Sequence, residues 1–252
     1  TCTGCGGGGS IPLDVDGAEV VIMDINSGSN NFMQNFEADA SFTLGKDAGF
    51  NMTDANDGQY NVLIGENSGY GLTTGDNNTF VGYNTGGSGN TITGGNNVVV
   101  GSQSGYNVTS ADENVIIGGG EDLTTGDFNT LLGSAAGADL TTESNNTMIG
   151  KFAGRNSTAA GSVMVGYYAG QYANADYNTL MGYEAGMAAS GSELTGEGNT
   201  YIGYQAGLVT TSGLENTIIG ATAGVAVTTG GYNTFIGEDS GYNITTCLLY
   251  TS

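Results

Sequence analysis

The chain has 252 residues, of which 47 are Gly and none is His or Trp, and three basic residues against 25 acidic ones give a net charge of −22. That charge repels phosphate backbones and anionic headgroups, which argues against nucleic-acid binding. The lack of His excludes Ser-His and Cys-His nucleophile systems, and no apolar run reaches the ~18–20 residues that span a bilayer.

Residues 1–10 read as a Gly-rich flexible leader. Cys5 follows a small residue and precedes a Gly/Ser run, so it is a candidate lipidation site on a flexible tether. Cys2 and Cys5 form a lone C-x-x-C with no second pair to complete a zinc site. Residues 11–40 read as an irregular N-terminal cap or first coil, with Val20-Val21-Ile22-Met23 as a strand. Oxygen-rich runs at Asp24–Asn30 and Asp54–Gly58 place ligand atoms at near-alternating positions, but neither completes a calcium motif. No cofactor and no metal site is expected.

From residue 41 to 246 the chain repeats. A pentapeptide N-[TV]-x-[aliphatic]-G closes at Gly65, Gly82, Gly101, Gly118, Gly133, Gly150, Gly166, Gly182, Gly203, Gly220 and Gly237, with Gly45 as a degenerate first member. Ser41 and Ser162 replace the opening Asn in two coils. A second Gly follows four residues after the closing one, usually behind a small residue; only the Gly118 coil, with Asp122 there, breaks this rule. Thr-Thr turns such as Thr228-Thr229 often come next. About seventeen residues hold two short strands and two turns, and no helical period is present. Coils of this kind bury their apolar faces only by stacking. The expected fold is therefore an all-β parallel β-solenoid of about twelve coils, roughly 55–60 Å long.

Two apolar ladders are visible. The residue before the closing Gly is expected to fill the solenoid core: Leu44, Ile64, Val81, Val100, Ile117, Leu132, Ile149, Val165, Met181, Ile202, Ile219 and Ile236. The residue one place earlier should then point outward as an oligomer face: Leu63, Phe80, Val99, Ile116, Leu131, Met148, Met164, Leu180, Tyr201, Ile218 and Phe235. A stripe that long exceeds what a monomer leaves in water, so the chain is expected to self-associate. Residues 247–252 break the repeat and resemble the translation of a sequencing-library transposon end, so they read as a non-native tail. The chain, beginning at Thr1, reads as a fragment.

The pentapeptide with its small-Gly pair resembles the head repeats of YadA-like trimeric autotransporter adhesins and related bacteriophage tail-fibre solenoids. Asn199-Thr200-Tyr201-Ile202-Gly203-Tyr204-Gln205-Ala206-Gly207 carries the likeness most fully. The resemblance covers about residues 41–246. It implies a left-handed, trimeric β-roll displayed on a cell or virion surface. The adhesin motif has shorter coils and an Asn one position farther from its Gly. A non-enzymatic extracellular adhesin or fibre segment is the expected function, with a host-surface protein or a glycan as partner. Tyr83, Tyr167, Tyr183 and Tyr204, each after a closing Gly, are candidate contacts. The alternatives are a structural spacer, an ice-binding protein using the Thr pairs, and a carboxylate-only glycoside hydrolase using Asp54, Asp57, Glu193 or Glu197.

Overall fold

The computed structural model describes residues 41–52, 58–87 and 89–246, together with the backbone of 33–35. The leader, Cys5, the Val20–Met23 segment, both oxygen-rich runs except Gly58, and the tail at 247–252 lie outside the described residues.

The chain is an all-β parallel solenoid in two compact units, Thr1–Asn114 and Val115–Ser252. In the first, β1 (Met33–Asn35) lies antiparallel to β2 (Phe42–Leu44), and β3 (Val62–Ile64), β4 (Thr79–Val81) and β5 (Val98–Val100) follow in parallel. The second holds eight parallel strands: β6 (Val115–Ile117), β7 (Thr130–Leu132), β8 (Thr147–Ile149), β9 (Val163–Val165), β10 (Thr179–Met181), β11 (Thr200–Ile202), β12 (Thr217–Ile219) and β13 (Thr234–Ile236). Each strand pairs in register with its sequence neighbour inside its unit, one strand per coil. Seven strand spacings give the second stack a height of about 34 Å.

The two apolar ladders are exchanged relative to the sequence reading. Leu63, Phe80, Val99, Ile116, Leu131, Met148, Met164, Leu180, Tyr201, Ile218 and Phe235, expected on the oligomer face, are all fully buried. The residues expected in the core point outward. Ile64, Val81, Val100, Ile149, Val165, Ile202 and Ile219 are half-buried, and Leu44, Ile117, Leu132, Met181 and Ile236 are exposed.

The opening Asn explains the exchange. Asn61, Asn78, Asn97, Asn114, Asn129, Asn146, Asn178, Asn199, Asn216 and Asn233 are buried. Strand side chains alternate, so a buried Asn places the residue two positions later inside and the aliphatic residue three positions later outside. The Asn is buried because it joins coil to coil. The Asn216 backbone N–H donates to Asn199 Oδ1 at 3.0 Å, while Asn199 Nδ2 donates to Gly213 O at 2.8 Å. Asn233 repeats the pattern on Asn216 at 3.0 Å, and Asn216 on Gly230 O at 2.8 Å. The serines take over the acceptor role: Ser41 Oγ accepts from Asn61 N at 3.0 Å and Ser162 Oγ from Asn178 N at 3.1 Å. Replacing Asn199 with Ala should strand the Asn216 N–H and the Gly213 carbonyl, at about 1–3 kcal/mol for each buried group. Asn199→Ser, which keeps an acceptor as Ser162 does, should lose less. Urea unfolding of the two variants checks this, and equal losses would refute the acceptor role.

The second glycine answers the inner ladder. A Cβ on Gly207 would lie 2.6 Å from the Tyr201 ring, and Gly207 has φ +59°. The same relation joins Gly154 to Met148 and Gly241 to Phe235. Here the chain turns with a left-handed residue and leaves room for a large inward side chain six positions earlier. Backbone bonds between coils run through the same corner, as from Gly170 N to Ala185 O at 3.0 Å and from Gly186 N to Ala206 O at 2.9 Å. The Gly118 coil breaks the spacing rule but keeps this corner, with Gly120 in the second glycine's place. Gly120 faces Ile116 and Leu131 there, and the two residues missing before it account for the fifteen-residue spacing.

A further inward row completes the core: Leu72, Ile92 and Val108 in the first unit; Leu123, Leu140, Ala173, Leu194, Thr210 and Val227 in the second, all fully buried. Leu72 bridges Ile92 in parallel, and Ala173 bridges Leu194. It sits seven residues past the closing Gly in regular coils, but ten past Gly82, five past Gly118 and twelve past Gly182. Insertions fall between the two, which hides the row from a fixed-period reading.

Candidate functional site

Three outer features of the second unit are available to a partner. The first is the outward strand face. Each strand there offers its first and third residues: Thr or Val, then Ile, Val, Leu or Met. None of these positions is charged. The same holds for β2–β5.

Next to it runs an aromatic ladder. Tyr167 and Tyr183 stack at 5.3 Å and 20°, and Tyr183 and Tyr204 at 5.5 Å and 16°. All three are exposed, as is Tyr83 in the first unit. Tyr168 packs edge-on against Tyr167 at 4.2 Å and stacks on Phe152 at 5.0 Å. Lys151 Nζ and the Arg155 guanidinium lie 4.7 and 4.9 Å from the Phe152 ring centre, so two of the chain's three basic residues gather here. Hydrogen bonding to Tyr168 raises the Tyr167 phenol pKa, and hydrogen bonding to Glu184 raises that of Tyr183. Because their faces meet along the stack, these rings present mainly edges to solvent.

The third feature is a groove of about 510 Å³ lined by Tyr177, Thr195, Gly196, Glu197, Gly198, Ser212, Leu214 and Glu215. It follows the 21-residue spacing from Gly182 to Gly203. The extra residues form a small turn closed by Ser192 N on Ala189 O at 2.8 Å. Glu193 caps this turn by accepting from Gly191 N at 2.8 Å, which lowers its pKa. That is a turn residue's work. Glu197 instead lines the groove, and Asp54 and Asp57 lie outside the described residues.

The Thr pairs are tied into the fold. Thr124 Oγ1 donates to Thr141 O at 2.9 Å, Thr211 Oγ1 to Thr228 O at 3.1 Å, and Thr228 Oγ1 to Thr245 O at 3.2 Å. Their hydroxyl protons therefore serve coil-to-coil bonds. Among the described residues no group of three or more His, Cys, Asp or Glu could hold a metal ion, and no helix is long and apolar enough to cross a membrane. Burial pushes the Glu121 carboxyl up, with its own backbone N–H and, less, Arg155 pulling the other way, and its Oε2 is buried without a hydrogen bond.

Tyr201 belongs to the core. Its hydroxyl and Thr210 Oγ1 are buried without a partner of hydrogen-bond geometry. Burial raises the phenol strongly, against a smaller opposing influence of Thr210 and Asn216. The folded chain keeps this proton at a pH where the unfolded chain releases it, so stability should fall as pH rises above about 10. The double variant Tyr201→Phe/Thr210→Val removes both orphaned hydroxyls and should gain about 1–2 kcal/mol at neutral pH. Thermal melts of the two proteins test this, and a lower Tm for the variant would contradict it.

No protein-family model, curated protein or solved structure matches the chain. Its function must therefore be argued from these surfaces.

Proposed function

We propose that the chain is a non-enzymatic segment of an extracellular adhesin or fibre, on a cell or virion surface, whose solenoid associates with further copies along the outward strand face. The carrying observation is the absence of charge on that face in a chain of net charge −22. Acidic copies repel each other elsewhere, and this face lets them meet without burying unpaired charge. Its residues are mostly β-branched, and an aliphatic side chain or Met ends every strand from β2 to β13, the character of a sheet face that gains from cover. The resemblance to YadA-like heads and tail-fibre repeats supports a trimer and a left-handed coil. The aromatic ladder and the groove then remain outside for binding.

Light scattering coupled to size exclusion should give three chain masses for the full chain. Ile202→Glu places a charge on the outer face and should shift the protein to one chain mass with its β-sheet circular dichroism retained. A monodisperse wild-type monomer would overturn the self-association reading. A structural spacer differs in the other half of the proposal, because it would bind nothing in a glycan and matrix-protein screen.

A further inference from the structure

Gly198 occupies a ladder position where the chain does not need glycine. The residue just before the buried Asn is left-handed in successive coils: Tyr177 at φ +60°, Gly198 at +69°, Glu215 at +52° and Tyr232 at +60°. The backbone accepts large side chains there. A Cβ on Gly198 would meet only Glu215 Cγ, at an ordinary 3.4 Å. Glycine suits the left-handed backbone at 198 without being required by it, and its missing side chain leaves open the groove between Tyr177 and Glu215.

The lining is mixed in a particular way. The Tyr177 ring rests against Gly161, where an added Cβ would sit 2.9 Å from Cδ1, and also lines the groove. Leu214 adds a second apolar surface, Glu197 and Glu215 supply carboxylate acceptors, and Ser212 supplies a hydroxyl, while Thr195 Oγ1 donates to Thr211 O at 3.4 Å and is left as an acceptor. An aromatic side chain suits the C–H face of a pyranose ring, and carboxylates accept hydrogen bonds from vicinal hydroxyls. The volume falls within the usual range for a small-molecule site. Two glutamates in a chain of charge −22 disfavour sialylated, sulfated or uronic sugars. A simple cation would use the acids and the ring but offers no acceptor to the Ser212 hydroxyl proton.

We infer that the groove lined by Tyr177, Glu197, Gly198, Leu214 and Glu215 is a binding subsite for an uncharged pyranose of a surface glycan. The inference rests on the binding half of the proposed function and is independent of self-association. The side chains that line the groove are exposed, so one site should bind in the millimolar range, with display on a repeated assembly raising avidity.

Saturation-transfer NMR on the full chain, with methyl glucosides, galactosides and mannosides and their disaccharides as probes, tests it. At least one uncharged probe should show transfer, and Gly198→Tyr should reduce its affinity at least tenfold while the cooperative thermal transition is kept, lowered by no more than the left-handed penalty that Gly191→Ala also carries. Glu215→Gln should weaken the same probe with the fold intact. The inference fails if no probe in the panel shows transfer, if Gly198→Tyr and Glu215→Gln bind as well as wild type, or if tetramethylammonium binds the groove and no saccharide does. Light scattering on the same samples separates the two proposals, since sugar binding by a monomer would leave this subsite standing and remove the oligomer.

Discussion

Gly166→Ala should destabilise the chain by about 3–5 kcal/mol, enough to abolish cooperative folding in a marginal domain. Gly166 has φ +137°, and an added Cβ would lie 2.3 Å from the Gly182 carbonyl oxygen and 2.7 Å from its carbon. The obstruction is backbone, so no side chain can swing away. Gly166 N donates to Ile149 O at 2.8 Å and Gly182 N donates to Val165 O at 2.8 Å, so the coils are already held at their sheet spacing. Relief would require prising two strands apart. Gly191→Ala is the control, with φ +82° and nothing within 4 Å of the new methyl. It should cost only the left-handed penalty of about 1 kcal/mol. Urea midpoints for the pair measure the difference, and a Gly166→Ala loss as small as that of Gly191→Ala would contradict the close-packed stack.

The repeat, its coil length and the parallel stacking were legible because Gly and Asn recur on the schedule that backbone geometry imposes. Which ladder lies inside was misread. The aliphatic uniformity of Ile64, Val81 and Ile202 suggested burial, and strand alternation then put Leu63, Phe80 and Tyr201 outside. The reverse holds, because inner volume is traded across the coil. A large Tyr201 faces Gly207, whose missing side chain leaves it room. One sequence signal could have decided the matter. An Asn at nearly every coil start is costly in solvent-facing strands and useful only where it satisfies buried backbone, and from Asn the alternation follows. For the groove, the long spacing between Gly182 and Gly203 drew notice to Glu193 and Glu197. The gap at Gly198 became visible only once Tyr177, Gly198, Glu215 and Tyr232 were aligned on one left-handed position.

Ile218 and Ile219 offer the sharpest contrast, being adjacent, chemically identical and on opposite faces of β12. Ile218 is fully buried, between Tyr201 and Phe235 in the strand register, and an added Cβ on Gly224 would sit 2.7 Å from its Cδ1. Ile219 is half-buried on the outward face. An aspartate at 218 would place an unpaired carboxylate among apolar side chains, at a cost of several kcal/mol, and loses the packed methylenes as well. An aspartate at 219 would meet water, or, in the proposed assembly, another copy.

The direct test of the inner and outer assignment is thermal unfolding, followed by circular dichroism, of Ile218→Asp and Ile219→Asp at a concentration where the wild-type oligomeric state is known. The structure predicts that Ile218→Asp loses its cooperative transition, while Ile219→Asp keeps its transition and its β-sheet spectrum. A folded Ile218→Asp beside an unfolded Ile219→Asp would contradict it.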